Sequence, residues 1–409
     1  MKGLLPALLI SVLIAAPAKL RAQFDYSTNA DGVTITITGY SGPPGAVMIP
    51  ASINGLSVVN IGNYAFYGDT NITSVTISAG VTNIGDDAFQ ICLGLTNVTI
   101  PDSVASIGPD AFGDAALTSV SIPASVTNLG SFAFEGPRLA AFTVDSGNAF
   151  YSSVGGVLFD KSGFTLLKFP QGGVGSYSIP VGVTNIGTAA FFSCIGLTSV
   201  TIPGSVVSIG GAAFAYCGGL TNATIGDGVA SIINAFPDCT NLGRIAIPAS
   251  VKTIGPGGFE FCTGLTNVTI SSGITNIQGG FTGCYSLASV YLSGNAPAAD
   301  SSAFEYDTNV TIYYLPGAIG WSNTLGGAPA LLWNPMIQTD DSSFGVRNNQ
   351  FGFNITGTAN IPIAVEACAN LVNSVWIPLQ TLRLTNGSFY FSEPFQANSS
   401  GRFYRISYP

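Results

Sequence analysis

The stretch that decides the fold reads Leu95-Thr-Asn-Val98-Thr-Ile100-Pro101-Asp-Ser-Val104-Ala-Ser-Ile107-Gly108-Pro-Asp-Ala111-Phe112. Variants of this stretch recur along the chain, most of them 22 or 23 residues apart. A fixed period of this length predicts a solenoid, in which each unit buries its apolar side against its neighbours. Aligned on the Ile-Gly-x-x-Ala-Phe phrase, the recurring phenylalanines are Phe66, Phe89, Phe112, Phe134, Phe191, Phe214, Phe236, Phe259, Phe281 and Phe304.

One unit of the repeat begins with a short strand. Val98 and Ile100 fall on one side of this strand, and Asn97 and Thr99 fall on the other, because successive side chains of a strand point to opposite faces. A second extended segment follows. The Gly-x-x-Ala-Phe phrase then turns the chain and is expected to place its phenylalanine in the interior.

These patterns predict a mainly β protein, with a solenoid of about eleven coils of 22–23 residues and then a small C-terminal β-sandwich. Alternation at Phe351, Phe353 and Ile355 is typical of the strands of such a sandwich. The expected divisions are a signal peptide (1–22), an N-terminal β cap (23–60), the solenoid (61–316), a C-terminal capping segment (317–336) and the sandwich (337–409).

The period is interrupted once, between Phe134 and Phe191. Alternating runs on either side of Asp160-Lys-Ser-Gly163 predict a β-hairpin inserted near residues 148–170. The insert either decorates one coil or forms a protruding contact element, because insertions in repeat proteins tend to map to the binding face.

The pattern Leu-x-x-Val-x-Ile-Pro-x-x-Val-x-x-Ile-Gly-x-x-Ala-Phe-x-x-Cys closely resembles the BspA-like (Treponema pallidum type) leucine-rich repeat of bacterial and protist surface proteins, over about residues 46–316. The resemblance implies a leucine-rich repeat solenoid in a secreted or surface-displayed binding or adhesion protein. Relatives of known role attach to host or extracellular proteins. The resemblance implies no catalytic residues.

A second and shorter resemblance concerns the C-terminal region. Trp376-x-Pro378-Leu379, Asn386-Gly387 and Arg402-Phe403-Tyr404-Arg405 together resemble a terminal module of secreted proteins from verrucomicrobial bacteria. This resemblance implies no particular role for the module.

The N-terminal 22 residues have the features of a secretory signal. They contain Lys2, an apolar run over 4–16, and small residues before the expected cleavage sites after Ala18 or Ala22. The run is too short to span a bilayer comfortably, so a cleaved signal peptide and a secreted, extracellular or cell-surface location are expected. No other apolar stretch is long enough to predict a transmembrane segment.

The charge of the chain limits its partners. Without Lys2, Lys19 and Arg21, the mature chain has 9 basic and 21 acidic residues, a net charge of −12. An acidic surface repels phosphate backbones, so nucleic acid is not expected as a partner. The BspA-like resemblance implies an extracellular protein or polysaccharide instead.

The chain contains no histidine. Catalytic triads and His-rich zinc sites are therefore excluded, together with the commonest general base near neutral pH. No catalytic residue and no cofactor is predicted.

Six of the seven cysteines each lie three residues after a repeat phenylalanine, which stacks them in one column. We expect a ladder of small buried thiols, because free cysteine packs as a hydrophobic residue. Disulfides or a metal site are the alternative. The six are Cys92, Cys194, Cys217, Cys239, Cys262 and Cys284.

Asp87 and Asp110 hold the same repeat position in successive coils, so they are expected about 5 Å apart. Two carboxylates at that separation are a weak candidate for a Ca²⁺ site. A solvated turn edge is the alternative.

The outward strand positions form two columns of hydroxyl and amide side chains with almost no charge. Such columns either stabilise the sheet by cross-strand packing or form a polar face that binds a protein or glycan. The candidate binding residues are Asn97, Thr99, Ser199, Thr201, Asn222, Thr224, Arg244, Asn267, Thr269 and Tyr291.

The sequence thus favours a secreted, noncatalytic recognition or adhesion protein. A structural envelope protein without a discrete ligand is the first alternative. A carbohydrate-active enzyme on a parallel β-helix is the second, although its outward columns should carry carboxylates, and the columns here carry Ser, Thr and Asn.

Overall fold

The computed structural model describes residues 23–395 and 401–408. Within these ranges the chain forms strands, turns and bends but no helix, and it divides into two compact units, Met1–Gly173 and Val174–Pro409. This division falls inside the range expected for the solenoid. The signal peptide expected at 1–22 lies outside the described residues.

The first unit contains fifteen strands, most of them two to six residues long. They are β1 (Phe24–Thr28), β2 (Thr34–Tyr40), β3 (Gly45–Ile49), β4 (Ser52–Ile53), β5 (Leu56–Ile61), β6 (Ile72–Ile77), β7 (Asn83–Ile84), β8 (Asn97–Thr99), β9 (Ser106–Ile107), β10 (Ser119–Ile122), β11 (Asn128–Leu129), β12 (Ala141–Val144), β13 (Tyr151–Val154), β14 (Val157–Asp160) and β15 (Thr165–Lys168).

The strands of the first unit stack in two parallel series. One sheet has the order β1-β2-β5-β7-β9-β11, in which the antiparallel β1–β2 hairpin starts the series and the rest is parallel. The three-stranded sheet β3-β6-β8 and the two-stranded sheet β10-β12 form the other series. Each coil therefore supplies one strand to each series, as the repeat pattern predicts.

The interruption of the repeat forms a three-stranded antiparallel meander, β13-β14-β15. Gly155 and Gly156, both at positive φ, make the turn between β13 and β14. Lys168 at the end of β15 forms an ion pair with Glu135, a buried side chain of the preceding coil. The meander has one strand more than the single hairpin expected there.

The second unit contains twenty-two strands. They are β16 (Gly175–Ser178), β17 (Asn185–Ile186), β18 (Leu197–Ile202), β19 (Ser208–Ile209), β20 (Asn222–Ile225), β21 (Ser231–Ile232), β22 (Arg244–Ile247), β23 (Thr253–Ile254), β24 (Asn267–Ile270), β25 (Asn276–Ile277), β26 (Ser289–Leu292), β27 (Ala298–Ala299), β28 (Thr311–Tyr314), β29 (Thr324–Leu325), β30 (Ala328–Leu332), β31 (Met336–Gln338), β32 (Gly345–Arg347), β33 (Gln350–Thr356), β34 (Pro362–Cys368), β35 (Ile377–Arg383), β36 (Ser388–Pro394) and β37 (Phe403–Ser407).

A nine-stranded sheet runs through the repeats of the second unit in the order β16-β18-β20-β22-β24-β26-β28-β30-β29. Its strands are parallel up to β30, with one register shift at Gly175–Ser176, and β30 forms an antiparallel hairpin with β29. Trp321 stacks on Tyr314 beside this hairpin, with ring centroids 4.5 Å apart. The hairpin and Trp321 thus cover the end of the sheet.

The C-terminal strands form two antiparallel sheets, β31-β33-β32 with β36 beside β33, and β35-β34-β37. Phe353, Ile363, Val365 and Phe391 from both sheets are buried in one cluster. This part of the chain is a small β-sandwich.

The recurring phenylalanines stack in the interior of each unit. Phe89 and Phe112 lie with ring centroids 5.0 Å apart and planes 4° from parallel, and Phe259 and Phe281 lie 5.4 Å apart at 7°. Stacked aromatic pairs contribute about 0.5–1.5 kcal/mol each beyond the area they bury. Every added coil therefore repeats the same stabilising contact.

The seven cysteines are buried and unbridged. In the repeat column, the Sγ atoms of Cys92, Cys217, Cys239, Cys262 and Cys284 donate to the carbonyl oxygen of the core phenylalanine in the preceding coil, at 3.0–3.2 Å. The thiol thus fills a small slot and also satisfies a buried acceptor, which would otherwise be costly.

Asp307 occupies the cysteine position in the last coil of this column. It is only 6% exposed, and neither carboxylate oxygen has a hydrogen-bond partner of normal geometry among the described residues. Burial raises the pKa of this carboxyl to about 7, because desolvation disfavours the charged form.

Eight of the ten turns around a core phenylalanine use two residues in the left-handed region, with φ between 47° and 72°, and the turns at Phe134 and Phe304 use one each. The left-handed residues that lie two positions before a core phenylalanine are Tyr64, Asp87, Asp110, Phe132, Ala189, Ala212, Asn234, Gly257 and Gly279. The left-handed residues that lie two positions after a core phenylalanine are Gly68, Ile91, Asp114, Ser193, Tyr216, Asp238, Phe261, Gly283 and Tyr306.

The left-handed turn predicts that replacing a glycine by alanine costs stability only where the glycine has a left-handed backbone. Gly279 has φ +58° and room for a Cβ, whose nearest neighbour would be 3.5 Å away, so Gly279→Ala should lower the free energy of unfolding by about 1 kcal/mol from backbone strain alone. Gly243 lies outside the left-handed region with open space around it, so Gly243→Ala should not destabilise the protein. Denaturant unfolding of both variants tests this. Equal effects would contradict it.

Burial of Asp307 predicts a pH dependence of stability. The pKa of Asp307 in the folded protein, about 7, exceeds the ordinary value of 3.8. The contribution of the protonated carboxyl to the free energy of unfolding is therefore fully present below about pH 4 and is lost as the pH rises through 7. Asp307→Asn should therefore be more stable than the parent at pH 8, and this gain should shrink toward pH 4. Denaturant unfolding over this pH range measures it. Asp227→Asn, at an exposed carboxylate, is the control; an equal gain there would contradict the account.

Candidate functional site

Two outward columns run across the nine-stranded sheet. The register aligns Thr201 with Thr224, Thr224 with Ala246, and Ala246 with Thr269. Arg244 aligns with Asn267 in the neighbouring column. The sequence predicted this alignment, because one repeat period returns each residue to the same place on the next strand.

A groove of about 310 Å³ lies on this face over strands β20, β22, β24 and β26. Its volume is at the small end of the range for ligand-binding pockets. Six of the predicted binding residues line it, with strand neighbours and one residue from the C-terminal tail. The lining residues are Asn222, Ala223, Thr224, Ile225, Arg244, Ile245, Ala246, Asn267, Thr269, Tyr291 and Tyr408.

The groove owes its depth to one small side chain. Ala246 stands between Thr224 and Thr269 in a column whose other members from Ser178 to Tyr313 carry hydroxyl or phenol groups. Because the side chain of Ala246 is short, a hollow bordered by hydroxyls lies over it. The exposed Arg244 lies two residues away on the same face.

Aromatic rings close one end of the groove. Tyr291 lies between Tyr408, at 4.2 Å between ring centroids, and Tyr313, at 5.1 Å. The Arg383 side chain from the sandwich donates to the Tyr313 hydroxyl at 3.2 Å. The C-terminal sandwich therefore packs on the outward face of β26 and β28.

This packing corrects one expectation for Tyr291. The residue was predicted on an exposed face, but it is only 2% exposed, because the C-terminal sandwich covers it. Burial raises the pKa of Tyr291 to about 12, so its phenol stays protonated and can donate a hydrogen bond. Tyr291 acts as an end wall of the groove.

The other predicted binding residues lie away from the groove. Ser199 and Thr201 lie on β18 of the same sheet, and Thr201 is exposed. Asn97 and Thr99 lie on β8 of the first unit and are both exposed. Exposure along the face of the second unit thus falls from Thr201 to the half-buried Thr269 and the buried Tyr291.

The candidate carboxylates for Ca²⁺ occupy equivalent turn positions. Asp87 and Asp110 are half-buried and both left-handed. Burial raises the pKa of Asp110, and the charges of Asp87 and Asp114 add to this effect. Within 23–395 and 401–408, no three Cys, Asp or Glu side chains are grouped as a metal site requires, so this pair offers at most two carboxylates.

The groove offers donors, acceptors and an aromatic surface in one place. Amides of Asn222 and Asn267 and hydroxyls of Thr224 and Thr269 can donate and accept, and the Arg244 guanidinium donates only. No carboxylate lines it. The arrangement suits a neutral or anionic ligand rich in hydroxyl or carbonyl groups.

Sequence reasoning missed Tyr408. The residue follows β37 and lies far from the repeats in the chain, so no periodic pattern connects it to Tyr291. Burial raises the pKa of the Tyr408 phenol. The one signal in the sequence was the aromatic character of Tyr408 itself, in a tail outside the repeat.

The chain was compared with known proteins. A family model described as the BspA type leucine rich repeat region matches in six copies, over residues 59–174, 168–279 and 233–321. No curated protein sequence is significantly similar to this chain. In the part of the chain that the structure describes, no helix has the length and apolar character needed to cross a membrane.

Solved structures with similar folds are bacterial leucine-rich repeat proteins. A leucine rich cell surface protein from Faecalibacterium prausnitzii is 28% identical, with 70% of this chain and 97% of that chain covered and a TM-score of 0.50. The pneumococcal vaccine antigen PcpA is 18% identical, with 76% and 98% covered and a TM-score of 0.57, a likeness of fold alone. Because the family model matches more than half of the chain, the chain belongs to the family of proteins with BspA type leucine rich repeats.

Proposed function

We propose that this is a secreted or cell-surface recognition and adhesion protein without catalytic activity, and that it binds an extracellular glycan in the groove over Ala246. The observation that carries the proposal is the groove itself: polar side chains from successive coils converge on a hollow that ends in buried tyrosines. The surface location draws support from the F. prausnitzii relative, which is a cell surface protein.

The chemistry of the groove favours a glycan over a protein. Sugars present many hydroxyl groups that both donate and accept, which matches the amides of Asn222 and Asn267 and the hydroxyls of Thr224 and Thr269. The groove is lined by eleven residues, about half of the roughly 20–30 residues that each partner of a stable protein complex contributes. A protein partner would need surface beyond it.

Two other functions remain as alternatives. A structural envelope protein would need no groove and no ligand. A carbohydrate-active enzyme would need two carboxylates flanking the substrate, and the groove lining contains none. The groove therefore favours recognition over both.

The proposal predicts that filling the hollow abolishes binding. Ala246→Tyr should block the groove, and a binding screen on arrayed glycans and matrix proteins should show loss of the parent's strongest signal by about tenfold or more. Arg244→Ala should weaken the same signal by roughly tenfold, because a hydrogen bond to a charged group contributes about 1.5–3 kcal/mol.

Thr99→Tyr provides the matched control, since it enlarges an exposed residue in the equivalent column of the first unit. It should bind as the parent does. An array on which the parent binds nothing would favour the structural alternative, and full binding by Ala246→Tyr would place recognition elsewhere.

A further inference from the structure

A second surface of the second unit carries aromatic side chains at the turn edge, away from the strand face. Tyr216, Phe261 and Tyr306 each follow a core phenylalanine by two residues. Tyr216 is 52% exposed and Tyr306 is 61% exposed, while Phe261 is half-buried. We call these three residues the aromatic row.

The row recurs at every second coil. The core phenylalanine rings of adjacent coils lie 4.7–5.7 Å apart from Phe214 to Phe304, so the backbone positions of the row are roughly 10 Å apart along the stack. The amide N of Tyr216 donates to the Pro237 carbonyl at 3.0 Å, and that of Phe261 donates to Thr282 at 2.9 Å. These backbone hydrogen bonds fix the spacing.

One intervening coil leaves room for a ring. Gly283 stands at the same position between Phe261 and Tyr306, and a Cβ there would lie 2.5 Å from Phe261 Cδ1. The Phe261 ring therefore lies over the Gly283 backbone, where a larger residue would displace it. Tyr285, 54% exposed, extends the surface beside Phe261 at 6.5 Å between ring centroids.

Aromatic residues are unfavourable choices for these positions. Tyr216, Phe261 and Tyr306 have φ of 59°, 55° and 70°. Glycine adopts this conformation without strain, whereas a bulky residue does not. The repeat accepts Gly283 and Asp238 at the same position, so the fold itself does not require an aromatic ring there.

The ionisable side chains of this edge are all acidic. Between Phe214 and Phe304, the two residues that follow each core phenylalanine include Asp238, Glu260 and Glu305 and no cation. Carboxylates repel sulfated or uronate polymers and accept hydrogen bonds from sugar hydroxyl groups. The charge therefore fits a neutral polysaccharide.

We propose that the aromatic row binds an extended, neutral β-1,4-linked polysaccharide. Successive sugars in such a chain are flipped, so every second sugar presents the same face, and this disaccharide repeat is close to the spacing of the row. Each ring offers an apolar platform for the C–H face of one sugar. The surface is separate from the groove over Ala246 and does not depend on what binds there.

The test measures binding of the full-length protein to cellulose and chitin particles, and to cellohexaose by calorimetry. The triple variant Tyr216→Gly, Phe261→Gly, Tyr306→Gly should bind at least about tenfold more weakly to whichever polymer the parent binds. Glycine relieves the left-handed strain at all three positions, so the variant should unfold at or above the parent's temperature.

Tyr64→Gly is the matched control, because Tyr64 is also an exposed, left-handed tyrosine but belongs to the first unit. It should bind as the parent does, and so should Ala246→Tyr, which separates the row from the groove. Binding to neither polymer, undiminished binding by a folded triple variant, or tighter binding to heparin or to a basic proline-rich peptide overturns the proposal.

Discussion

The in-register stacking of parallel coils is the constraint on which the other features depend. Each coil donates backbone hydrogen bonds to its neighbour, as at Phe89 to Ala111 and Phe259 to Gly280. A residue therefore always lies over its counterpart one period away. Phenylalanine rings then stack, thiols reach the carbonyl group of the preceding coil, and turn residues share one left-handed conformation. A local choice at one repeat position becomes a column along the molecule.

The same constraint gives the surface its functional possibilities. Because the backbone of every coil is nearly identical, a surface feature arises wherever one coil departs from its column. Ala246 departs by being small and opens a groove, while Tyr291 departs by being large and forms an end wall beneath Tyr408. Asp307 departs in the interior, where a carboxyl replaces a thiol and loses its hydrogen bond.

Much of this could be predicted from the period alone. The phase of the repeat correctly placed Val98 inside and Asn97 outside, and it aligned the five repeat cysteines of the second unit in one buried column. The cover over Tyr291 could not be predicted, because Tyr408 reaches it through tertiary packing of a domain that has no repeat. The division between Gly173 and Val174 falls just after the insert expected near 148–170, where the period is interrupted.

The central claim is that outward departures from the repeat in the second unit, rather than the insert or the first unit, carry recognition. A crystal structure of the protein with the array ligand whose signal Ala246→Tyr removes tests this most directly. The account predicts ligand density above Ala246, within hydrogen-bond distance of Arg244 and in contact with Tyr408. Density over Asn97 and Thr99 or on strands β13–β15, with the groove empty, would contradict it.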